Sequence, residues 1–390
     1  MITQTSLNHI RLFYAAYFAA MGLILPFFPV FLDGLGLNVM LIGVMTGLLA
    51  FAKVVAPPWV GHVLDRRPDR LVHRFIIVAS LLAAVAALLM GVTLNTFALA
   101  AIILLFGILW AAILPLTDGL SVSVSEAALA DYGRLRVWGS IGFVLASLAG
   151  GVWLADRNIN AFPMALAGLM LVTALAARGF PEMDGMRNED RQPSSRFSRP
   201  FYLLLGTAFI MQASHGAYYG FFSLYLAAAG YAGWQIGLCW VIGVVAEIVL
   251  MWRWSRPLQE APPALVFSTC LGLAAVRWLG TGLTADPLLI GGLQLLHAAS
   301  FAAFHVAAIA WVRRLAPEVR HAAAQGWYSA AGFGFGSTVG IMGCGLIAEL
   351  WGYSVAFYAC AAIALLGLPM ALQLPDKNHG NLSGHADPVE

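Results

Sequence analysis

Apolar runs of about 20 residues, parted by short polar turns, recur along the whole chain. Read at the length a bilayer demands, they predict twelve spans, at roughly 10–32, 41–62, 74–93, 97–119, 136–155, 161–178, 201–229, 235–254, 264–283, 288–312, 326–348 and 353–374. One long polar interruption, 179–200, divides six spans from six. The segment after Leu374 is polar and expected to be disordered. The predicted plan is a six-helix bundle over 1–178, a cytoplasmic linker over 179–200, a second six-helix bundle over 201–374 and a cytoplasmic tail over 375–390.

Shifting the first half by 194 residues, without a gap, sets Gly22 on Gly216, Phe27-Phe28 on Phe221-Phe222, Gly36 on Gly230, Ile42-Gly43 on Ile236-Gly237 and Lys53 on Glu247. With six spans per half, both halves start on the same side, so the repeat is parallel. Parallel six-span halves are the arrangement of major facilitator transporters, whose sites lie between the halves near the midplane. The fold class expected is therefore all-α integral membrane, twelve transmembrane helices in two parallel six-helix pseudo-repeats.

Composition agrees. The chain is 61% hydrophobic and 10% charged, against about 25% charged in soluble domains. The first apolar run continues through Pro26 and Pro29 to Leu32, too long for a signal-peptide core. With the N-terminus inside, 18 of the 21 lysines and arginines fall on inside loops and flanks, Arg157 alone falls outside, and Lys53 and Arg277 remain within spans. That asymmetry places both termini in the cytoplasm. The arginines form no stripe, which argues against nucleic acid as a partner. Cys239, Cys270, Cys344 and Cys360 sit in apolar runs without metal or disulfide spacing. No nucleotide loop, nucleophile elbow or metal motif is present, so no enzyme, cofactor or metal is expected. The lack of a soluble signalling domain counts against a receptor.

The chemistry lies in charges that should not be there. Glu247 interrupts Ile236–Trp252, and a carboxylate at that depth costs about 2.5–3.5 kcal/mol on insertion scales. Two readings stand: Glu247 neutralises Lys53 or Arg277, or it is the group that takes a proton. Lys53 lies mid-span, eleven residues after Ile42, too deep to snorkel, and is read as an anion contact or a proton-linked switch. Asp118 and Arg136 are expected to pair. His215, His297 and His305 share the second half with Glu247 and Arg277; each is a packing histidine or a proton relay. Tyr218 and Tyr219, in Tyr218-Tyr219-x-Phe221-Phe222, are read as cavity wall or as packing.

Gly61-His-Val-Leu-Asp65-Arg66-Arg67-Pro68-Asp69-Arg70 resembles the major facilitator loop signature at Gly61, Asp65, Arg66 and Arg70, with Pro68 and Asp69 departing from it. Leu114-Pro-Leu-Thr-Asp118, Asp131-Tyr-Gly-Arg134-Leu-Arg136, Gln212-Ala-Ser-His215-Gly-Ala-Tyr-Tyr-Gly220, Gly243-Val-Val-Ala-Glu247, Val276-Arg277-Trp278 and Gln294-Leu-Leu-His297 with His305 resemble the 3-phenylpropionate permease family. The piece around Arg136 also resembles lactose permease and related oligosaccharide–proton symporters. That resemblance implies Asp118 and Arg136 as substrate contacts and Arg277 and His297 in a proton-coupling group. Those symporters carry a glutamate where this chain has Ser300, which shifts the burden of carrying a proton onto Glu247.

The expected function is proton-coupled symport of a small organic solute, an aromatic carboxylate on the family resemblance, with Lys53, Asp118, Arg136, His215, Tyr218 and Tyr219 on substrate and Glu247, Arg277, His297 and His305 on the proton. Sugar or nucleoside symport and drug or metabolite efflux are the alternatives. The setting expected is a bacterial cytoplasmic membrane, with the chain a monomer whose partners are lipid, proton and solute.

Overall fold

The computed structural model describes residues 4–64, 69–93, 95–128, 131–181, 197–317 and 320–375. Among them there are helices and no strand, as lipid requires: a helix satisfies its own backbone polar groups. The first half runs α1 (Gln4–Gly34), α2 (Val39–Leu64), α3 (Asp69–Met90), α4 (Thr96–Ala128), α5 (Tyr132–Gly150) with a π-helical extension Gly151–Ala155, and α6 (Phe162–Ala177). The second runs α7 (Arg199–Ala213), α8 (Gly216–Ala228), α9 (Gly233–Glu260), α10 (Pro263–Leu283), α11 (Pro287–Leu295), α12 (Phe304–Leu315), α13 (His321–Ser329), α14 (Ser337–Trp351), α15 (Tyr353–Leu366) and α16 (Leu368–Leu372). π-Helical segments Ala298–Ala303 and Ala330–Gly336 join α11 to α12 and α13 to α14.

Eleven helices among the described residues are long and apolar enough to cross a membrane. The stretch expected as an unbroken seventh span is instead two shorter helices, α7 and α8, meeting at Ser214 and His215. The cause is local. Ser214 Oγ and His215 Nδ1 both donate to the carbonyl of Met211, at 2.6 and 2.8 Å, a side-chain alternative to the backbone ladder. The amide of Ala217 turns to Cys360 Sγ, 3.4 Å away. The break also seats Gly216 directly on Gly340: a Cβ on Gly216 would lie 2.2 Å from the Gly340 carbonyl oxygen.

The repeat is visible in the backbone. Gly36 and Gly230, matched by the 194-residue shift, end α1 and α8 with φ of 80° and 87°, a left-handed turn that glycine adopts without a Cβ penalty. Within the first half α1 packs along α5 and α6, and α4 along α2 and α3. The halves meet where α2 lies on α14, α5 on α9 and α1 on α8.

The α2/α14 and α5/α9 seams close tightly at the end of the bundle that carries the 34–39, 155–162, 228–233 and 351–353 connections. Gly43 and Gly345 approach so closely that a Cβ on either would come within about 3 Å of the other's Cα. Met40 N–H donates to Glu349 at 3.2 Å. Asp156, from the first half, caps the first amides of α9, Gly233 and Trp234, where Ala232 offers no capping side chain of its own. Loss of an N-cap costs about 1 kcal/mol. Asp156→Ala is therefore expected to shift the closed-to-open ratio of this end about fivefold toward open. A Leu37→Cys thiol on the adjoining turn would report it as faster labelling; an unchanged rate would remove Asp156 from the seam.

Candidate functional site

The second half builds a hydrogen-bonded chain across three helices. Arg277, fully buried on α10, donates from Nη1 to His297 Nδ1 at 2.7 Å and to Ser300 Oγ at 3.2 Å, and from Nη2 to Gln294 Oε1 at 2.7 Å. His297 Nε2 lies 2.7 Å from Glu247 Oε1 on α9. Tyr218 and Trp278 stack on the guanidinium, with ring centroids 4.3 and 4.4 Å from its carbon. His297 ends the turn that leads into the π-helical segment, which carries Ser300 back toward Arg277. The chain fixes a tautomer. A guanidinium only donates, so His297 Nδ1 must present a lone pair, and the ring proton sits on Nε2 and is donated to Glu247. His297 cannot take a second proton while Arg277 holds Nδ1. Glu247 Oε2, by contrast, has no hydrogen-bond partner among the described residues and is free to be protonated without breaking the chain.

The first half builds a second polar cluster. Asp118 Oδ1 on α4 accepts from Tyr14 OH at 2.7 Å and Tyr132 OH at 3.0 Å, and Arg136 Nε on α5 lies 3.8 Å from it. Arg136 stacks over Phe18 at 4.3 Å. Asp118 and Arg136 each keep about a third of the side chain exposed, 32% and 34%, so the expected pair forms and stays accessible.

Lys53 is not brought to Glu247. The repeat placed them at related positions, but Glu247 pairs with His297, and Lys53 Nζ lies 6.0 Å from the Trp110 ring centroid. Among the described residues Lys53 makes no ion pair. Asp118 with Arg136, and Glu247 with Arg277 through His297, are matched in sign; Lys53 alone of these charges is not.

Packing surrounds the other candidate side chains. His215 is fully buried; its ring lies edge-on to Trp278 and stacked on Tyr219, with centroids at 4.9 and 5.6 Å. Tyr218 is 1% exposed, held between Arg277 and Trp240. Both form the floor beneath the Arg277 chain and have no open surface. Tyr219 is half-buried beside them. His305 stands apart from the chain, Nδ1 2.9 Å from Tyr328 OH. Of the loop signature, Gly61 lies in the last turn of α2 and Arg70 in the first turn of α3, while Asp65 and Arg66 lie outside the described residues. The four cysteines are buried as expected, with Cys344 and Cys360 3.5 Å apart, Sγ to Sγ. No group of three or more metal-ligating side chains occurs among the described residues. A cavity of about 630 Å³ lined by Gln259, Ile309, Arg313, Arg314 and His321 opens at the far end of α12 and holds none of the site residues.

The model of the MFS_1 like family matches residues 7–366. The chain belongs to this family of major facilitator transporters. A probable 3-phenylpropionic acid transporter of Escherichia coli (strain K12) is 30% identical over 385 residues, covering 94% of this chain and 97% of that protein. A maltose permease of Geobacillus stearothermophilus is 28% identical over 377 residues, covering 94% of each. The crystal structure of the nucleoside transporter NupG superposes with a TM-score of 0.79 at 16% identity, covering 94% of this chain and 99% of that one. The protein is thus a multi-pass membrane transporter of a small molecule, not an enzyme. Three contacts of this major facilitator site escaped the sequence. Gln294 lies one turn before His297, and an amide in an apolar run does not by itself point to Arg277. Tyr132 lies one turn before Arg136 and reaches Asp118 through its hydroxyl. Tyr14 offered only a hydroxyl in an apolar run.

Proposed function

We propose that this transporter moves a small organic monoanion together with a proton. The observation that carries the reading is the Arg277–His297–Glu247 chain, whose geometry pins His297 neutral and leaves Glu247 as the group that can gain and lose a proton. A protonated Glu247 leaves Arg277 without a counter-charge; an ionised one satisfies it. The two protonation states therefore differ in the charge facing the seam between the halves, which is what a coupling device requires.

Lys53 supplies the anion contact. A lone ammonium at this depth is costly, and a solute carboxylate would give it the counter-ion it lacks. One unmatched cation favours one carboxylate per solute, and with one proton the loaded and empty carriers hold the same net charge. The probable 3-phenylpropionic acid transporter among its relatives supports an aromatic acid as the solute. With the orientation argued from the loop arginines, the closed end is the outer one, the termini are cytoplasmic, the two six-helix bundles rock about the seams, and the structure faces inward. The relative's source supports a bacterial inner membrane.

A second reading, symport of a neutral polyol such as a sugar or nucleoside, is favoured by the Asp118 cluster: Tyr14, Tyr132 and Arg136 around an accessible carboxylate suit hydroxyl groups. Proteoliposomes with no imposed gradient separate the two. Addition of 3-phenylpropionate is expected to alkalinise a weakly buffered external medium as it enters, and acidifying the outside to raise its accumulation. Alkalinisation by maltose or uridine but not by the acid would favour the second reading.

A further inference from the structure

Lys53 and the Arg277 chain account for charge, and neither says where the apolar body of a solute would rest. Tyr218 is closed, and Tyr219, half-buried, lies against His215 and Trp240. Phe301, His305 and Phe333 are each only partly buried, in contrast to Tyr218 and Trp278, which are closed at 1%. They meet at ring-centroid distances of 6.0 Å for Phe301–Phe333, 5.5 Å for His305–Phe333 and 6.1 Å for Phe301–His305, the first two edge-to-face and the third stacked. Tyr328 backs them, edge-on to Phe333 at 6.0 Å and hydrogen-bonded to His305.

Two of these rings come from irregular backbone. Phe301 belongs to the π-helical Ala298–Ala303 and Phe333 to the π-helical Ala330–Gly336. Such wide turns recur where a helix must present a side chain that regular geometry would point elsewhere. The second segment, Ala-Ala-Gly-Phe-Gly-Phe-Gly, lies between α7 and α2. Its Gly334 rides on the α2 backbone: a Cβ there would fall 3.3 and 3.4 Å from the N and Cα of Val54. Val54 is the neighbour of Lys53. The helix that carries Lys53 and the segment that carries Phe333 thus meet at one contact between the halves, with Phe301 and His305 grouped around Phe333.

We propose that Phe301, His305 and Phe333 form the seat for an aromatic ring of the solute, whose carboxylate reaches Lys53 across the seam. The assignment rests on the anion reading above and adds the ring and its contacts to it. An aromatic group offers the edge-to-face and offset contacts that these rings already make with one another; a saturated ring of similar bulk offers area alone. The seat also touches the proton chain. Phe301 stacks on His297 with centroids 5.3 Å apart and planes at 22°. A ring bound against Phe301 therefore bears on the imidazole that orients Glu247, and solute and proton affinities become reciprocal.

The test compares three nine-carbon acids as counterflow substrates of the full-length protein in proteoliposomes: 3-phenylpropionate, 3-cyclohexylpropionate and nonanoate. The wild type is expected to show a KM for the phenyl acid about fivefold below that for the cyclohexyl acid, the size of one or two aromatic contacts. Phe333→Leu and Phe301→Leu, which keep bulk and remove the π face, are expected to erase that preference by raising the KM for the phenyl acid about fivefold, with a smaller rise for the cyclohexyl acid and nonanoate. Equal KM values for the phenyl and cyclohexyl acids in the wild type, or a preference that survives both substitutions, overturns the seat and leaves the anion reading intact. Failure of all three acids to be transported overturns the anion reading itself, and the seat with it. Should one leucine variant not fold, the wild-type comparison and the other variant still decide.

Discussion

Replacement of Glu247 by glutamine is expected to abolish uphill accumulation while leaving exchange running. Each unit of pH gradient supports about tenfold accumulation of a solute that moves with one proton. In Glu247→Gln the gradient should drive no net uptake, whatever its size. The side chain keeps its shape, and its amide oxygen still accepts from His297 Nε2, so the Arg277–His297 geometry survives. The site then resembles its protonated form permanently: the carrier loads solute, reorients loaded, and cannot release a proton to return empty. Counterflow, which needs only loaded reorientation, should persist. Accumulation and counterflow measured on one preparation check this. Retained accumulation would take the proton away from Glu247; loss of both would mean the glutamate is structural.

Lys53→Met is expected to weaken anion binding about 30-fold or more, the low end of the about 2–5 kcal/mol that follows truncation of one partner of a desolvated charge pair. Methionine matches the length and apolar stem of lysine, so packing on Trp110 is kept and the ammonium alone is lost. The KM for 3-phenylpropionate should rise while the affinity for its neutral amide, weak in the wild type, should not fall. Ligand-induced thermal shifts with acid and amide give the two numbers. An unchanged KM for the acid would return Lys53 to a structural role and leave Arg136 as the carboxylate contact.

Much of the fold was legible because the bilayer leaves a chain few choices. Apolar runs fix the spans, and the matched Gly36 and Gly230 mark the same left-handed turn in both halves. What escaped is irregular backbone. Nothing in the hydropathy of 201–229 shows that Ser214 and His215 will take the Met211 carbonyl and split the span, because that outcome depends on Cys360 and Gly340 from distant helices. The two π-helical segments are hidden for the same reason.

The site was legible as a set of residues and not as a set of pairs. Glu247, Arg277, His297, Asp118 and Arg136 stood out as polar groups in apolar surroundings, and the structure joins them in the two clusters described. The Lys53–Glu247 match was misleading. A repeat relates backbone positions, whereas partners are set by the neighbours, and those are not repeated: His297 stands beside Glu247 and Trp110 beside Lys53. Tyr218 illustrates the other difficulty. Its place in the sequence fits a cavity wall and packing equally well, and its burial between Arg277 and Trp240 is set by helices distant in the chain.

The central claim is that Glu247, and not His297, carries the proton. Infrared difference spectroscopy of the protein in lipid films, stepped across pH, reads it directly. The account predicts a carboxylic C=O band that vanishes as pH rises, shifts when 3-phenylpropionate is added and is missing in Glu247→Gln, with no imidazolium signal from His297. A pH-dependent imidazolium signal lost in His297→Gln, together with a carboxyl band unchanged by Glu247→Gln, would contradict it.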